Sequence, residues 1–457
     1  MLKKSIYQIN NIRLFIAFRV FFNARFYYPV FTILFLDFGL TLEQFALLNV
    51  VWALTIVVVE VPSGALADII GRRNLLVSTG VLMVAEIALL CFAPRGDARV
   101  LFILFLANRV LSGTAEAAAS GADEALAYDA LKAEGDIRDW GRVLETQMRF
   151  QSIAFIVAMS VGAAVYDPAL MGKVAGWLGV KTTMTQGVTL RFPLFLTLLM
   201  AVMTLITTLR MKEVPVRDGG EKAADGNLEG SVLQALKVTL RAGGWILKTP
   251  FALVIITTAV VFDHIIRMIV TLSSQYYRLI ELPEASFGLI GSGLAVLGLF
   301  IPRVARRLAE HRSPGYNLGV MAVLTFSGLL GTTFFLPFVG LAPLVVLYSV
   351  FYFLNFFVSH YLNRMTSSSQ RATVLSFKGL SLNLAYGLIG VFYSLLLGAL
   401  RTRVQGRTPD LVGQGLENVI FIKSFAWFPW YFLFMFVTLL LFARWQLRDL
   451  DVHKQVG

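Results

Sequence analysis

Apolar residues in this chain come in runs. They follow neither the two-residue alternation of a half-buried strand nor the three-to-four spacing of a soluble amphipathic helix. Stretches built on 102–106, 251–261 and 428–442 with their flanks reach the roughly 18–20 residues that a helix needs to cross a bilayer. Hydropathy predicts twelve such spans, at 14–37, 44–66, 74–93, 99–119, 148–166, 191–209, 250–272, 286–302, 316–338, 341–361, 372–397 and 419–442. The fold class this implies is an all-α integral membrane protein with twelve transmembrane helices.

One polar, glycine-rich segment interrupts the pattern, at 212–230, where Asp218, Gly219, Gly220, Glu221 and Lys222 follow one another. It divides the chain into two six-helix halves, 1–211 and 250–457, joined by a cytoplasmic linker at 212–249. Within that linker Leu233, Leu236 and Leu240 share a face with Lys237 and Arg241 nearby, the pattern of a helix lying in the membrane interface.

Composition agrees with the pattern. Of the 457 residues 57% are hydrophobic and only 15% charged, against about 25% charged in soluble domains. The net charge of +12 suggests a nucleic-acid partner only until the charges are placed. Most lysines and arginines fall in the two termini, the central linker and the loops after even-numbered spans. By the positive-inside rule that sets both termini in the cytoplasm of a cell whose inner membrane the chain crosses many times. The basic loops then face an anionic leaflet, so membrane lipids, and no nucleic acid, are the expected partners. The lone Cys91 excludes an intrachain disulfide and a multi-cysteine metal site. His264 and His360 lack neighbouring ligands, so no metal and no cofactor is expected. No nucleophile–base constellation and no G-x-x-x-x-G-K-[ST] loop occurs, which argues against an enzyme and against ATP-driven transport.

After the second span the chain reads Gly64-Ala-Leu66-Ala67-Asp68-Ile-Ile-Gly71-Arg72-Arg73. This resembles the G-x-L-A-D-x-x-G-R-R signature of the major facilitator superfamily (MFS). Arg109 and Gly113 in the fourth span resemble that family's R-x-x-x-G pattern, whose arginine is linked to proton transfer. The stretch from Ser120 to Leu131 is also of a type that recurs in bacterial members. The resemblance implies a secondary transporter that rocks its two halves around a midplane site. It assigns Gly64, Asp68, Gly71, Arg72 and Arg73 to a cytoplasmic latch. Two departures stand out. The loop after the eighth span, 302–308, lacks the aspartate and glycines, and the fifth span lacks the G-P-x-x-G-G string of drug/proton antiporters, having only Ser160 to Ala164.

Ionisable groups at bilayer depth are costly and mark candidate sites. At roughly 1.5 Å per residue, Arg25, Arg109 and Asp263 fall near the midplane. Arg19, Glu60 and Glu116 fall within about 10 Å of it on the cytoplasmic side. The proton-coupling candidates are Glu60, Glu86, Arg109, Glu116 and Asp263. The substrate-cavity candidates are Arg19, Asn23, Arg25, Asn108, Arg109, Asp263, Tyr352 and Asn355. Asp263 and Arg267 are spaced to pair along one helix. The aromatics from Trp427 to Phe432 suit an interfacial belt.

The expectation is a monomeric, proton-coupled transporter of a small organic solute. Export is the direction implied by resemblance. Uptake of a small organic anion is the alternative that the arginine surplus favours, and a non-transporting membrane sensor is a remote third.

Overall fold

In the computed structural model, residues 5–180, 183–213, 233, 237, 244, 246–365 and 368–455 are described. The predicted interfacial helix lies largely outside them. All regular structure among them is helical. The first half contains α1 (Asn10–Asn23), α2 (Phe31–Phe38), α3 (Leu42–Ile70), α4 (Arg72–Cys91) and α5 (Ala98–Ala119). It continues with α6 (Ala122–Glu134), α7 (Trp140–Tyr166), α8 (Pro168–Trp177), α9 (Gln186–Thr189) and α10 (Phe192–Arg210). The second half contains α11 (Pro250–Thr271), α12 (Ser273–Leu279), α13 (Phe287–His311) and α14 (Pro314–Thr332). After these come α15 (Leu341–Met365), α16 (Ser368–Arg407), α17 (Gly413–Phe425) and α18 (Phe428–Gln455).

Among the described residues, 10 helical stretches are long and apolar enough to cross a membrane. The two other predicted spans are helical too. The ninth is α14, which carries Tyr316 and Asn317 near its start. The first is broken, contrary to the single helix expected at 14–37. Pro29 cannot donate to the helix ladder and its ring clashes with the carbonyl four residues back, so α1 stops at Asn23 and α2 begins at Phe31. The twelfth span is likewise two helices, α17 and α18, parted at Ala426 and Trp427.

The chain forms two compact units, one of Met1–Leu40, Val51–Leu236 and Pro283–Ser292, the other of Thr41–Val50, Lys237–Leu282 and Gly293–Gly457. In the first, α4 packs on α5 and α10, and α1 packs on α7 and α10. Gly113 allows α5 to approach α3, because a Cβ there would meet the Trp52 carbonyl at 2.9 Å. In the second, α11 packs against α15, α16 and α18, and α14 against α15. There Arg401 on α16 holds Glu43 through two bonds of 2.6 and 2.7 Å and Glu417 at 2.5 Å. Glu417 also accepts the Leu42 amide at 3.1 Å.

Large apolar side chains stay exposed on the spans, Val58, Leu395 and Phe434 among them. A water-soluble surface does not carry so many, while lipid accepts them.

Candidate functional site

The break in the first span creates the site. A helix interrupted at membrane depth survives only if its freed backbone groups find partners. Here the Arg25 Nε donates to the Phe22 carbonyl at 3.2 Å, and the Phe26 amide donates to Thr197 Oγ1 at 3.0 Å. The turn aims the Arg25 guanidinium at α4, where Nη1 forms an ion pair with Glu86 Oε1. Both groups are buried, Glu86 fully.

Asn108 and Arg109 on α5 extend the cluster. Asn108 Nδ2 donates to the Glu86 carbonyl at 2.8 Å, and its Oδ1 accepts from Arg109 Nε at 3.0 Å. The Arg109 guanidinium lies over the rings of Phe31 and Phe35, 5.3 and 5.2 Å from their centroids. Only 4% of Arg109 is exposed. Among the described residues its Nη2 has no hydrogen-bond partner, and neither does Glu86 Oε2. Buried Tyr27 shares electrostatic interactions with Arg25, Arg109 and Glu86, as Glu116 does with Arg25 and Glu86. The site therefore holds two guanidiniums and two carboxylates, with one strong donor and one acceptor left over.

Three other candidates belong to the same unit. Asn23 donates to the Arg19 carbonyl at 2.8 Å. Arg19 forms an ion pair with Asp123 and a 2.7 Å bond to Glu124 at the start of α6, and it interacts electrostatically with Glu116. Glu60 Oε2 is buried without a partner among the described residues.

The remaining candidates belong to the second unit. Asp263 pairs with Arg267 at 2.7 Å, one turn along α11. Arg267 donates to Asn383 at 2.9 Å and lies over the Tyr386 ring at 5.4 Å. Tyr352 packs where Gly298 leaves room. Asn355 is exposed and bonds its own helix at the Phe351 carbonyl, 2.8 Å away.

The signature loop has its own chemistry. Gly71 adopts φ +89°, a conformation that disfavours any side chain. That turn starts α4, and the Glu213 carboxylate caps it, accepting the amides of Arg72 at 3.2 Å and Arg73 at 2.8 Å. An anion at a helix N-terminus offsets the unpaired amides and the positive end of the dipole. Arg73 donates to the carbonyls of Met211 at 2.8 Å and Leu209 at 3.1 Å, and Arg72 pairs with Asp129 on α6. Gly64 is exposed with open space where a Cβ would point. The Asp68 side chain lies outside the described residues.

Sequence reading missed several of these partners. Glu213 is separated from Arg72 by 141 positions, so no local spacing reveals the cap. Asp123 and Asp129 lie in the quoted stretch, but their partners depend on where α6 docks. Lys378, an intramembrane cation on α16 that interacts electrostatically with Asp263, was visible in hydropathy, since it sits within the eleventh span.

Helical spans with exposed apolar faces, charged groups within them and a capped turn after the second span fit a multi-pass membrane protein. The profile of the Major Facilitator Superfamily matches residues 13–395, and the chain belongs to that family. It is thus a secondary transporter of the MFS type. No curated protein matches. Among solved structures, a bacterial homolog of the human lysosomal transporter Spinster, inward-facing and unoccupied, is 15% identical with a TM-score of 0.68 over 98% of this chain and 99% of that one. The nucleoside transporter NupG is 13% identical with a TM-score of 0.63 over 93% and 98%. A D-xylose–proton symporter is 13% identical with a TM-score of 0.57 over 93% and 97%. At these identities the likeness is one of fold.

Proposed function

We propose that the protein is a proton-coupled secondary transporter of a small organic anion, set in a cytoplasmic membrane with both termini inside. One observation carries this reading: Arg109 is buried, lies over two aromatic faces and keeps an unsatisfied donor beside the Arg25–Glu86 pair. A buried guanidinium with no carboxylate of its own is costly unless an anion visits it. Its planar fork suits a carboxylate or phosphate. Proton coupling is supported by the carboxylates in the same cluster, since a group that can be neutral or charged at depth is a natural proton carrier.

On this reading the solute moves with protons, which favours uptake. Export is the direction implied by family resemblance, and no feature of the cluster speaks for it. Glu213, Asp129 and the arginines they hold support a gating role for the signature loop.

The test is solute-driven proton movement in proteoliposomes containing a pH dye. The panel holds organic anions (lactate, succinate and benzoate as probes), cations and neutral compounds, with Asp68→Asn as the gating control. A proton signal confined to the anions, lost in the control, supports the proposal. A signal confined to cations or neutral compounds contradicts the anionic substrate, and its sign separates uptake from export.

A further inference from the structure

We propose that Glu86 is the carboxylate that carries the coupled proton, and that Arg25 is a shared counterion which the solute's anionic group takes over from it. This rests on the anion reading above and deepens it.

The first ground is geometry. Glu86 is fully buried, one oxygen is held by Arg25 and the other has no partner among the described residues. The free oxygen can receive a proton without breaking an existing bond.

The second ground is charge. Summed over the cluster, the guanidiniums of Arg25 and Arg109 equal in number the carboxylates of Glu86 and Glu116, although Arg109 itself pairs with neither. An entering anion would leave the buried cluster one negative charge in excess, and uncompensated charge in a low-dielectric interior is strongly disfavoured. One proton on Glu86 restores the balance. The exchange closes on itself: the solute's oxygen replaces Glu86 Oε1 on Arg25 and Glu86 Oε2 binds a proton. When the solute leaves, Arg25 returns to Glu86 and the proton is released.

The third ground is the partner's place in the chain. Arg25 lies outside any helix, between the end of α1 and the 3-10 turn Tyr28–Val30, so its side chain can leave Glu86 without breaking a helix ladder. Beyond Glu86, its side chain bonds the Phe22 carbonyl.

Among the described residues, no other charge facing Glu86 upsets the sum. The first segment offers Arg25, Tyr27 and Tyr28, and α5 offers Glu116 and, through Asn108, Arg109. From α6 comes Asp123, already committed to Arg19. The buried polar groups of α10 are the hydroxyls of Thr197, Thr204, Thr207 and Thr208. Arg191, just before α10, is bound to the Cys91 and Ala93 carbonyls at the far end of α4.

The experiment compares wild type with Glu86→Gln in proteoliposomes, using labelled lactate, succinate and benzoate. Exchange without a pH gradient and accumulation driven by one are measured together. The expected result is a fall of at least tenfold in the ratio of accumulation to exchange, with exchange losing its pH dependence. A wild-type ratio in Glu86→Gln overturns the proposal. A merely structural role would lower both rates and leave the ratio unchanged.

A second measurement needs no solute. Acid titration of the full chain in lipid, followed by the infrared absorption of protonated carboxyls, should show a buried-carboxyl band. That band should disappear in Glu86→Gln and shift in Glu86→Asp, which keeps the charge should Glu86→Gln fail to fold. A band unchanged in the variants overturns the assignment of the proton to Glu86. Failure of every solute with the band intact would overturn only the anion reading.

Discussion

Arg25 and Arg109 differ in the partner each has. Arg25 has a carboxylate; Arg109 has an amide oxygen, the Tyr27 hydroxyl, two aromatic faces and a spare donor. Their variants should differ accordingly. Arg109→Gln should reduce anion transport at least tenfold while thermal unfolding in detergent stays within about 1 kcal/mol of wild type, because no ion pair is broken. Arg109→Lys should recover only part of the transport, since a point charge replaces a planar fork. Glu86→Leu should unfold far more readily, by about 3–5 kcal/mol, because it strands a buried guanidinium. Equal stability losses in Arg109→Gln and Glu86→Leu would contradict the difference in partners. Both arginines were legible in the sequence as charges inside apolar spans. Their partners were not, and the broken first span gives Glu86 to Arg25.

At the scale of elements, the break between α1 and α2 depends on a side chain from α10. Thr197→Val removes the acceptor of the Phe26 amide. The loss should be about 1–3 kcal/mol in thermal unfolding, the usual cost of a buried unsatisfied donor. No change would mean that the broken segment is held some other way. Glu213→Gln should weaken the cap of α4 by about 1 kcal/mol, measured in the same assay. Ten of the twelve predicted spans were legible because a bilayer demands length and apolarity, which a window along the chain reports. The breaks at 24–30 and 426–427 were not, because hydropathy is blind to backbone geometry. Pro29 was the available signal for the first, since a proline inside a span ends or kinks the helix. The cap on α4 was illegible for a different reason, as it joins segments distant in sequence.

For the whole molecule, the positive-inside bias sets the proposed orientation, and the single cysteine makes that testable. Cys91 is buried, so introduced cysteines should be the sites that react. Arg312→Cys, in the basic loop after α13, should be modified by an impermeant maleimide only when the cytoplasmic side is opened. Thr183→Cys, in the loop after the fifth span, should react in intact cells. The opposite pattern would invert the orientation. The family was legible in the string from Gly64 to Arg73, a contiguous motif whose turn at Gly71 is local to that loop. The substrate was not, since it depends on which polar side chains meet in space.

The measurement that bears most directly on the function is the pH-dye assay on wild type and Arg109→Gln side by side. Anion-dependent proton entry in wild type, absent for cations and neutral compounds and abolished in Arg109→Gln, is the expected outcome. Anion movement that ignores the pH gradient, or proton entry that survives in Arg109→Gln, would contradict a proton-coupled anion transporter built on this cluster.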